Sequence, residues 1–273
     1  MAASCDRDVT EPANPLRGTF DSAAAGYDAA RPTYPERLFD DLVQLAGLEP
    51  GDRLLEVGPA TGKATRPLLE RGFSVVGVEL GPRLAEQART NLAGLPFEVH
   101  VTPFETWAGE PATFDLVYAA TAWHWIDPGV RYRQAHRLLR PEGHLAFWGA
   151  LHAFPPGFDP FFREIQDVYD AIGESREGEW PPPAPDDILD DRAEIEASGL
   201  FQDVQVRRYV WETSYTAEGY LALLNTFSGH IAMDPSGRAH LYAEIRRRLG
   251  RRPHGRVRRH WYAILHVARH RSG

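Results

Sequence analysis

Cysteine is almost missing from this chain: Cys5 is the only one in 273 residues. No internal disulfide can form, and a thiolate metal site has no ligand set. Lysine is almost missing too, with Lys63 alone among 30 basic residues, a bias of genome composition rather than of chemistry. No apolar run approaches the roughly 18 residues of a membrane span, and the first twenty residues lack the apolar stretch of a secretory signal. The expectation is a cytoplasmic protein with no resident metal and no membrane partner. A formal net charge of −8 argues against nucleic acid as the main partner.

What is present is apolar and patterned. Hydrophobic residues make up 43% of the chain, enough for a large core, and the length suits one elaborated α/β domain. Residues 53–80 carry the densest signal. Leu54, Leu55 and Val57 run into Gly58-Pro59-Ala60-Thr61-Gly62. Ala64, Leu68 and Leu69 follow at helical spacing, Arg71-Gly72 closes that helix, and a second apolar run over 75–78 ends on Glu79. Strand, glycine turn, helix, strand is a βαβ unit of a parallel, doubly wound sheet, whose ligand sits at the strand C-termini.

Gly58 and Gly62 omit the Cβ atoms that would hold a ligand off the backbone, and Ala60 is nearly as small. Glu79, ending the second strand, can accept hydrogen bonds from both hydroxyls of an adenosine ribose. A dinucleotide fingerprint starting at Gly58 needs glycines where Ala60 and Lys63 stand. A phosphate loop needs Ser or Thr where Ala64 stands.

Glu56-Val57-Gly58-Pro59-Ala60-Thr61-Gly62 resembles motif I, E-x-G-x-G-x-G, of the class I S-adenosylmethionine-dependent methyltransferases, with alanine at the middle glycine. The resemblance implies a seven-stranded, mostly parallel sheet with an antiparallel last strand, and S-adenosylmethionine as cofactor. It gives cofactor roles to Glu56, Gly58, Pro59, Ala60, Gly62, Glu79 and Leu80. The segment Tyr27-Asp28-Ala29-Ala30-Arg31-Pro32-Thr33-Tyr34-Pro35 resembles the Y-D-x-x-R-P-x-Y-P lead-in of small-molecule methyltransferases. By that likeness Tyr27 and Arg31 lie near the cofactor's methionine end, where a guanidinium can pair with its carboxylate; a surface Arg31 is the alternative.

The same resemblance places adenine contacts after the third strand. Pro103 stands where the family carries an acid, so the contact passes to Phe104 or Glu105; an exposed Glu105 is the competing reading. After the fourth strand, Ala120-Thr121-Ala122-Trp123-His124-Trp125 resembles the segment beside the transferable methyl. Ala120 falls to the cofactor, and Trp123, His124 and Trp125 to the substrate pocket. His124 is the candidate general base, since a neutral imidazole can take a proton from the nucleophile; pocket lining is the alternative. Lys63 is either solvated or paired with a carboxylate.

The expected organisation is a disordered tail over 1–19 and one domain over 20–273. Within it, 20–48 is a helical lid, 49–150 the cofactor-binding core, and 151–273 the cover insertions and C-terminal strands. Helices are expected over 158–172, 186–197 (on Ile188, Leu189 and Ile195), 216–227 and 236–249, with strands over 202–211 and 256–267. Segments 156–185 and 213–236 have no place in the minimal fold and read as a helical substrate cover. Eight arginines between 246 and 259 form either a solvated face or an RNA-binding patch.

The expected activity is methyl transfer to a small-molecule acceptor. O-methylation of a small organic acid is favoured, through likeness to the trans-aconitate methyltransferase group. A nicotinamide-dependent oxidoreductase and a non-catalytic S-adenosylmethionine-binding protein are the alternatives. Glu79→Ala removes charge-assisted hydrogen bonds worth roughly 1.5–3 kcal/mol each. With water replacing part of that, calorimetry should show S-adenosylhomocysteine affinity falling about ten- to hundredfold, ~1.4–2.8 kcal/mol. An unchanged dissociation constant would remove Glu79 from the site.

Overall fold

The computed structural model describes residues 30–175, 178 and 180–272. The expected tail and Tyr27 lie outside the described residues. Helix α1 (Glu36–Leu45) leads into strand β1 (Arg53–Val57), α2 (Thr65–Glu70), β2 (Ser74–Glu79), α3 (Pro82–Asn91) and β3 (Phe97–Val101). Then come β4 (Phe114–Ala120), α4 (Pro128–Leu138), β5 (Leu139–Trp148) and a short β6 (Leu151–Ala153). Four short helices follow across two segments: α5 (Phe161–Glu164), α6 (Gln166–Ala171) and α7 (Arg192–Ala197) precede β7 (Phe201–Thr216), and α8 (Ala217–Leu224) succeeds it. The chain closes through α9 (Ser228–Ala232), α10 (Pro235–Gly250) and β8 (Arg256–His270).

The apolar runs at 54–57, 75–78 and 114–119 become β1, β2 and β4, buried along nearly their whole length. Strands covered on both faces read as continuous hydrophobic runs rather than alternations. β1 to β5 pair in parallel in the order 3-2-1-4-5. β8 runs antiparallel to β5, and its other edge pairs with β7 from Phe201↔His270 to Thr216↔Arg256. The doubly wound sheet with an antiparallel last strand is therefore present, with eight strands among the described residues rather than seven. The extra one is β6, which takes up the β5 side of β8 after Gly149-Ala150.

One sheet face is covered by Leu38, Phe39 and Leu42 of α1 with Leu68 and Leu69 of α2, packed on Tyr209, Ala263 and Leu265 of the last two strands. The other is covered by Tyr132, Ala135 and Leu138 of α4 and by Ile195 of α7. A third cluster builds the cover: Phe161, Phe162, Leu223, Leu224, Leu241 and Ile245 pack on Val257 and Trp261 at the far end of β8. Among the described residues, no helix is long and apolar enough to cross a membrane.

Several boundaries move. The helix expected over 186–197 is a 3-10 turn (Pro185–Asp187) and a helix of only six residues, with Leu189 91% exposed. The intervening backbone is tied to the sheet instead, Asp191 N donating to His266 Nε2 at 3.0 Å and Arg208 pairing with Asp190. The helix expected over 158–172 starts only at Phe161 and divides into α5 and α6 at Ile165. β7 runs to Thr216, so residues 213–216 belong to the sheet rather than the cover. Glu142 takes a left-handed φ of +68°, a conformation that favours glycine, at the irregularity between the Leu139 and His144 pairings of β5 with β4.

The arginine run is not one surface. Arg246 faces Glu218, Arg247 faces Glu244, Arg248 faces Asp167 and Glu244, Arg252 faces Asp159, and Arg258 faces Glu212. Arg259 is buried.

Asp159, 7% exposed, anchors the cover to β8. Its carboxylate accepts from both Arg252 terminal nitrogens (2.6 and 3.0 Å), Phe161 N (3.0 Å) and Arg258 N (2.9 Å). Burial alone would raise its pKa, but the bonds from Arg252, Arg258 and Phe161 outweigh it and hold the group below its ordinary value. A depressed carboxylate stabilises above the unfolded pKa of about 3.9 and loses that contribution as pH falls through the folded value. Asp159→Asn should cost about 3 kcal/mol in urea unfolding at pH 7, and the gap to wild type should narrow below about pH 4. A gap unchanged by acid would assign the loss to packing instead.

Candidate cofactor and acceptor site

At the C-terminal ends of β1, β2 and β4 lies a cavity of about 520 Å³. It opens between β1 and β4, where the strand order reverses and doubly wound sheets bind their ligands. The loops leaving the three strands form its floor. Arg31, Tyr34, Phe227 and Ser228 form the wall contributed by the N-terminal segment and the cover.

The floor is strained and tightly held. Gly58 has φ +71°, Ala60 +49° and Thr121 +58°. A Cβ on Gly58 would come within 2.8 Å of Ala122 Cβ, so the two strand-end loops meet only because both residues are small. Left-handed backbone at a non-glycine costs on the order of 1–3 kcal/mol and persists where neighbours over-determine it. Glu79 is that neighbour: its Oε2 accepts from Ala60 N at 3.0 Å and its Oε1 from Gly81 N at 2.9 Å. The acid ending β2 thus fixes the β1 loop, the residue itself only 7% exposed and in the cavity wall beside Leu80.

Gly58, Pro59 and Ala60 line the cavity, as do Glu56, Glu79, Leu80, Phe104, Ala120, His124 and Trp125. Gly62 does not. Its φ is +90°, and a Cβ there would meet Leu92 Cδ1 at 2.7 Å, so this glycine admits a core leucine rather than a ligand. Glu105 also lies off the cavity wall, accepting from Asp127 N at 3.3 Å. Trp123 is buried beneath the floor, stacked on Phe147 at 5.3 Å. A tryptophan flanked by apolar partners on β5 and α4 packs inward, leaving His124 and Trp125 at the wall.

Arg31 reaches the wall but is already engaged with the cover. Its Nε donates to Thr226 Oγ1 and its Nη2 to Thr226 O, both at 2.8 Å, and its guanidinium lies 4.4 Å from the Phe227 ring centre. His124 stands exposed at the mouth with its ring 5.0 Å from that of Trp125. Surrounding protein, then the Arg131 cation, holds its pKa below the ordinary value, so the imidazole is neutral at pH 7. Lys63 lines the cavity and is half-buried.

Sequence reading missed Tyr34, whose hydroxyl hydrogen-bonds Thr121 Oγ1 at 2.8 Å, and Phe227-Ser228. Tyr34 stood in the quoted lead-in. Phe227-Ser228 follows an apolar helix with no local sign that it folds back over strands almost 170 residues earlier.

Sheet order, switch-point cavity and acid-gripped loop define the class I methyltransferase fold. Residues 55–147 match the family described as "Methyltransferase domain", so the chain carries a class I S-adenosylmethionine-dependent methyltransferase domain over that span. An uncharacterized methyltransferase of Mycobacterium tuberculosis is 37% identical over 128 residues, 46% of this chain and 50% of that protein. The chain thus spans about half the length of these curated relatives. Among solved structures, a provisionally assigned type II methyltransferase from Anaeromyxobacter dehalogenans superposes with a TM-score of 0.64 at 24% identity, over 88% of this chain and 97% of that one. A phosphoethanolamine N-methyltransferase from Haemonchus contortus, solved with phosphomonomethylethanolamine and S-adenosylhomocysteine, gives 0.53 at 15% identity, over 92% and 58%.

Glu56 is 1% exposed, with Oε2 accepting from Thr65 Oγ1 at 2.5 Å and Tyr118 OH at 2.8 Å. Burial, opposed by these two bonds and assisted by Glu79, raises its pKa from 4.5 to about 7. Between those values the folded chain keeps a proton that the unfolded chain has lost, so stability falls as pH rises through the window and levels off above it. Glu56→Gln should remove that decline in urea titrations from pH 4.5 to 7. An identical slope in the variant would mean that Glu56 ionises normally.

Proposed function

We propose that the chain transfers a methyl group from S-adenosylmethionine to an oxygen of a small-molecule acceptor. The observation that carries this reading is Glu79, buried at the end of β2 and gripping a glycine-alanine loop at the cavity edge. The cavity volume falls in the range of small-molecule sites, roughly 300–1,000 Å³. A carboxylate suits a ribose diol, Leu80 and Phe104 offer apolar surface for a base, and Gly58, Ala60 and Ala120 leave room for close approach. Arg31 is the proposed partner of the cofactor carboxylate, which it would meet while fastened to Thr226. The donor set fits the cofactor.

When bound, the cofactor supplies an electrophilic methyl on a sulfonium. The chain's task is to hold the acceptor oxygen in line behind that carbon and to exclude water. Held by Glu79, the Gly58–Ala60 loop and Arg31, the sulfonium would supply the methyl and keep the electron pair of the bond it gives up, while the acceptor oxygen would supply the pair for the new one. A carboxylate acceptor has no proton to lose; a hydroxyl acceptor passes its proton to a base, the role proposed for His124, neutral at pH 7. Its exposure at the mouth also supports a second reading, in which it only lines the acceptor's path.

Calorimetry separates this from a nicotinamide enzyme. S-adenosylhomocysteine should bind at least about a hundredfold more tightly than NADH, ~2.8 kcal/mol. The reverse order would overturn the reading. Tight S-adenosylhomocysteine binding without methyl transfer to hydroxyl, carboxyl or amine acceptors would reduce the protein to a cofactor-binding one.

A further inference from the structure

The cavity runs along the C-terminal ends of the strands, from Leu80 and Phe104 after β2 and β3 to Ala150 and Leu151 after β5. A ribose held at Glu79, with its base against Leu80 and Phe104, occupies the β2–β3 end. The space beside β4, β5 and β6 is left for the acceptor. β6 is the strand added to the expected seven, and pairing of Leu151 with Tyr262 and of Ala153 with His260 fixes it to β8. His152 between them packs into the cover, its ring 4.0 Å from that of Phe154 and 4.4 Å from that of Phe162. Alternate residues share one sheet face. On that face Ala153 is 2% exposed and Leu151 50%, so β6 carries a leucine out to the cavity rim.

The acceptor end is apolar and largely aromatic. Trp125, Phe227 and Tyr34 line it together with Ala150, Leu151 and Ile126. A lone exposed leucine needs no explanation, but Leu151 stands in one wall with these rings. Among the described lining residues, the charged ones are Arg31, Glu56, Lys63 and Glu79. The last three stand at the ends of β1 and β2, and Arg31 is fastened to Thr226 and assigned to the cofactor carboxylate. A carboxylate acceptor would therefore leave water with no further cation to meet it, which is costly. An uncharged planar ring instead gains the stacked and edge-to-face contacts that aromatic side chains favour.

We propose that the acceptor is an uncharged phenol, its ring seated among Trp125, Phe227 and Leu151 and its hydroxyl toward His124. The inference rests on the methyltransferase reading and names the acceptor class of that site. The phenolic oxygen supplies the electron pair of the new bond to the methyl carbon. The pair of the broken C–S bond stays on sulfur, and the phenolic proton passes to His124. Phenols ionise at about 10, as tyrosine does, whereas a water-like hydroxyl ionises at about 15.7. His124, held below its ordinary pKa, is a weak base. Such a base takes a phenolic proton far more readily than an alcoholic one.

The test titrates the full chain, saturated with S-adenosylhomocysteine, with para-cresol and 2-naphthol in a calorimeter. Each is compared with the carboxylic acid and the saturated alcohol of the same skeleton. At least one phenol should bind about tenfold or more tightly than both counterparts. Leu151→Glu should weaken that phenol by about tenfold or more while leaving S-adenosylhomocysteine affinity unchanged. Should Leu151→Glu fail to fold, Leu151→Ser should weaken the same phenol. His124→Gln should slow methylation of that phenol by about a hundredfold or more with its dissociation constant unchanged; an equal rate would overturn the transfer of its proton to His124. Acids or saturated alcohols bound as tightly as the phenols, no phenol bound, or equal phenol binding by the Leu151 variant would overturn the proposal. So would a loss of S-adenosylhomocysteine affinity in Leu151→Glu, which would place Leu151 against the cofactor. A wild-type chain that binds no S-adenosylhomocysteine would sink the methyltransferase reading alone; the same titrations of the free chain then decide whether the cavity prefers a phenol.

Discussion

Two backbone N–H groups, those of Ala60 and Gly81, converge on the Glu79 carboxylate at the end of β2, and the geometry of the cavity depends on that convergence. The bond to Ala60 holds the β1 loop in a left-handed turn that an alanine would not adopt unaided. With the loop fixed, Gly58 abuts Ala122, and the loop after β4 takes its own left-handed turn at Thr121. Tyr34 closes the set through its hydrogen bond to Thr121, tying the N-terminal segment to the same floor.

Electrostatics divides the cavity lengthwise. On the loop side, two carboxyls stand close enough for Glu79 to help keep Glu56 protonated toward neutral pH. On the cover side, Arg31 and Arg259 share one phenylalanine face, and burial, then Arg259 and Arg238, depress His230 behind it.

The core strands were legible because continuous apolar runs ending in glycine or an acid admit few other folds. Gly58, Ala60 and Glu79 come together at the cavity where the βαβ spacing predicted. Gly62 and Trp123 went astray for a common reason: a motif states that a residue must be small or aromatic, not which neighbour demands it. For Gly62 the neighbour is Leu92, and for Trp123 it is Phe147. The segment at 186–191 was misjudged because its order comes from Arg208 and His266, far along the chain, rather than from helical periodicity. Sequence adjacency groups Arg259 with a surface run because it hides strand alternation; its neighbour Arg258 faces Glu212 while Arg259 points into the core.

The β7–β8 ladder passes without interruption from Gln205 to Thr216, part of the cofactor sheet at one end and packed under the cover at the other. A hinge needs a few residues free to change their backbone angles, and a continuous antiparallel ladder provides none. The two halves are therefore a single beam rather than a jaw. Exchange of ligands falls to side chains and short loops at the rim, the Arg31–Thr226 latch among them. Sequence change in the cover can then reshape what the pocket accepts while the beam keeps the distance to the Glu79 floor constant.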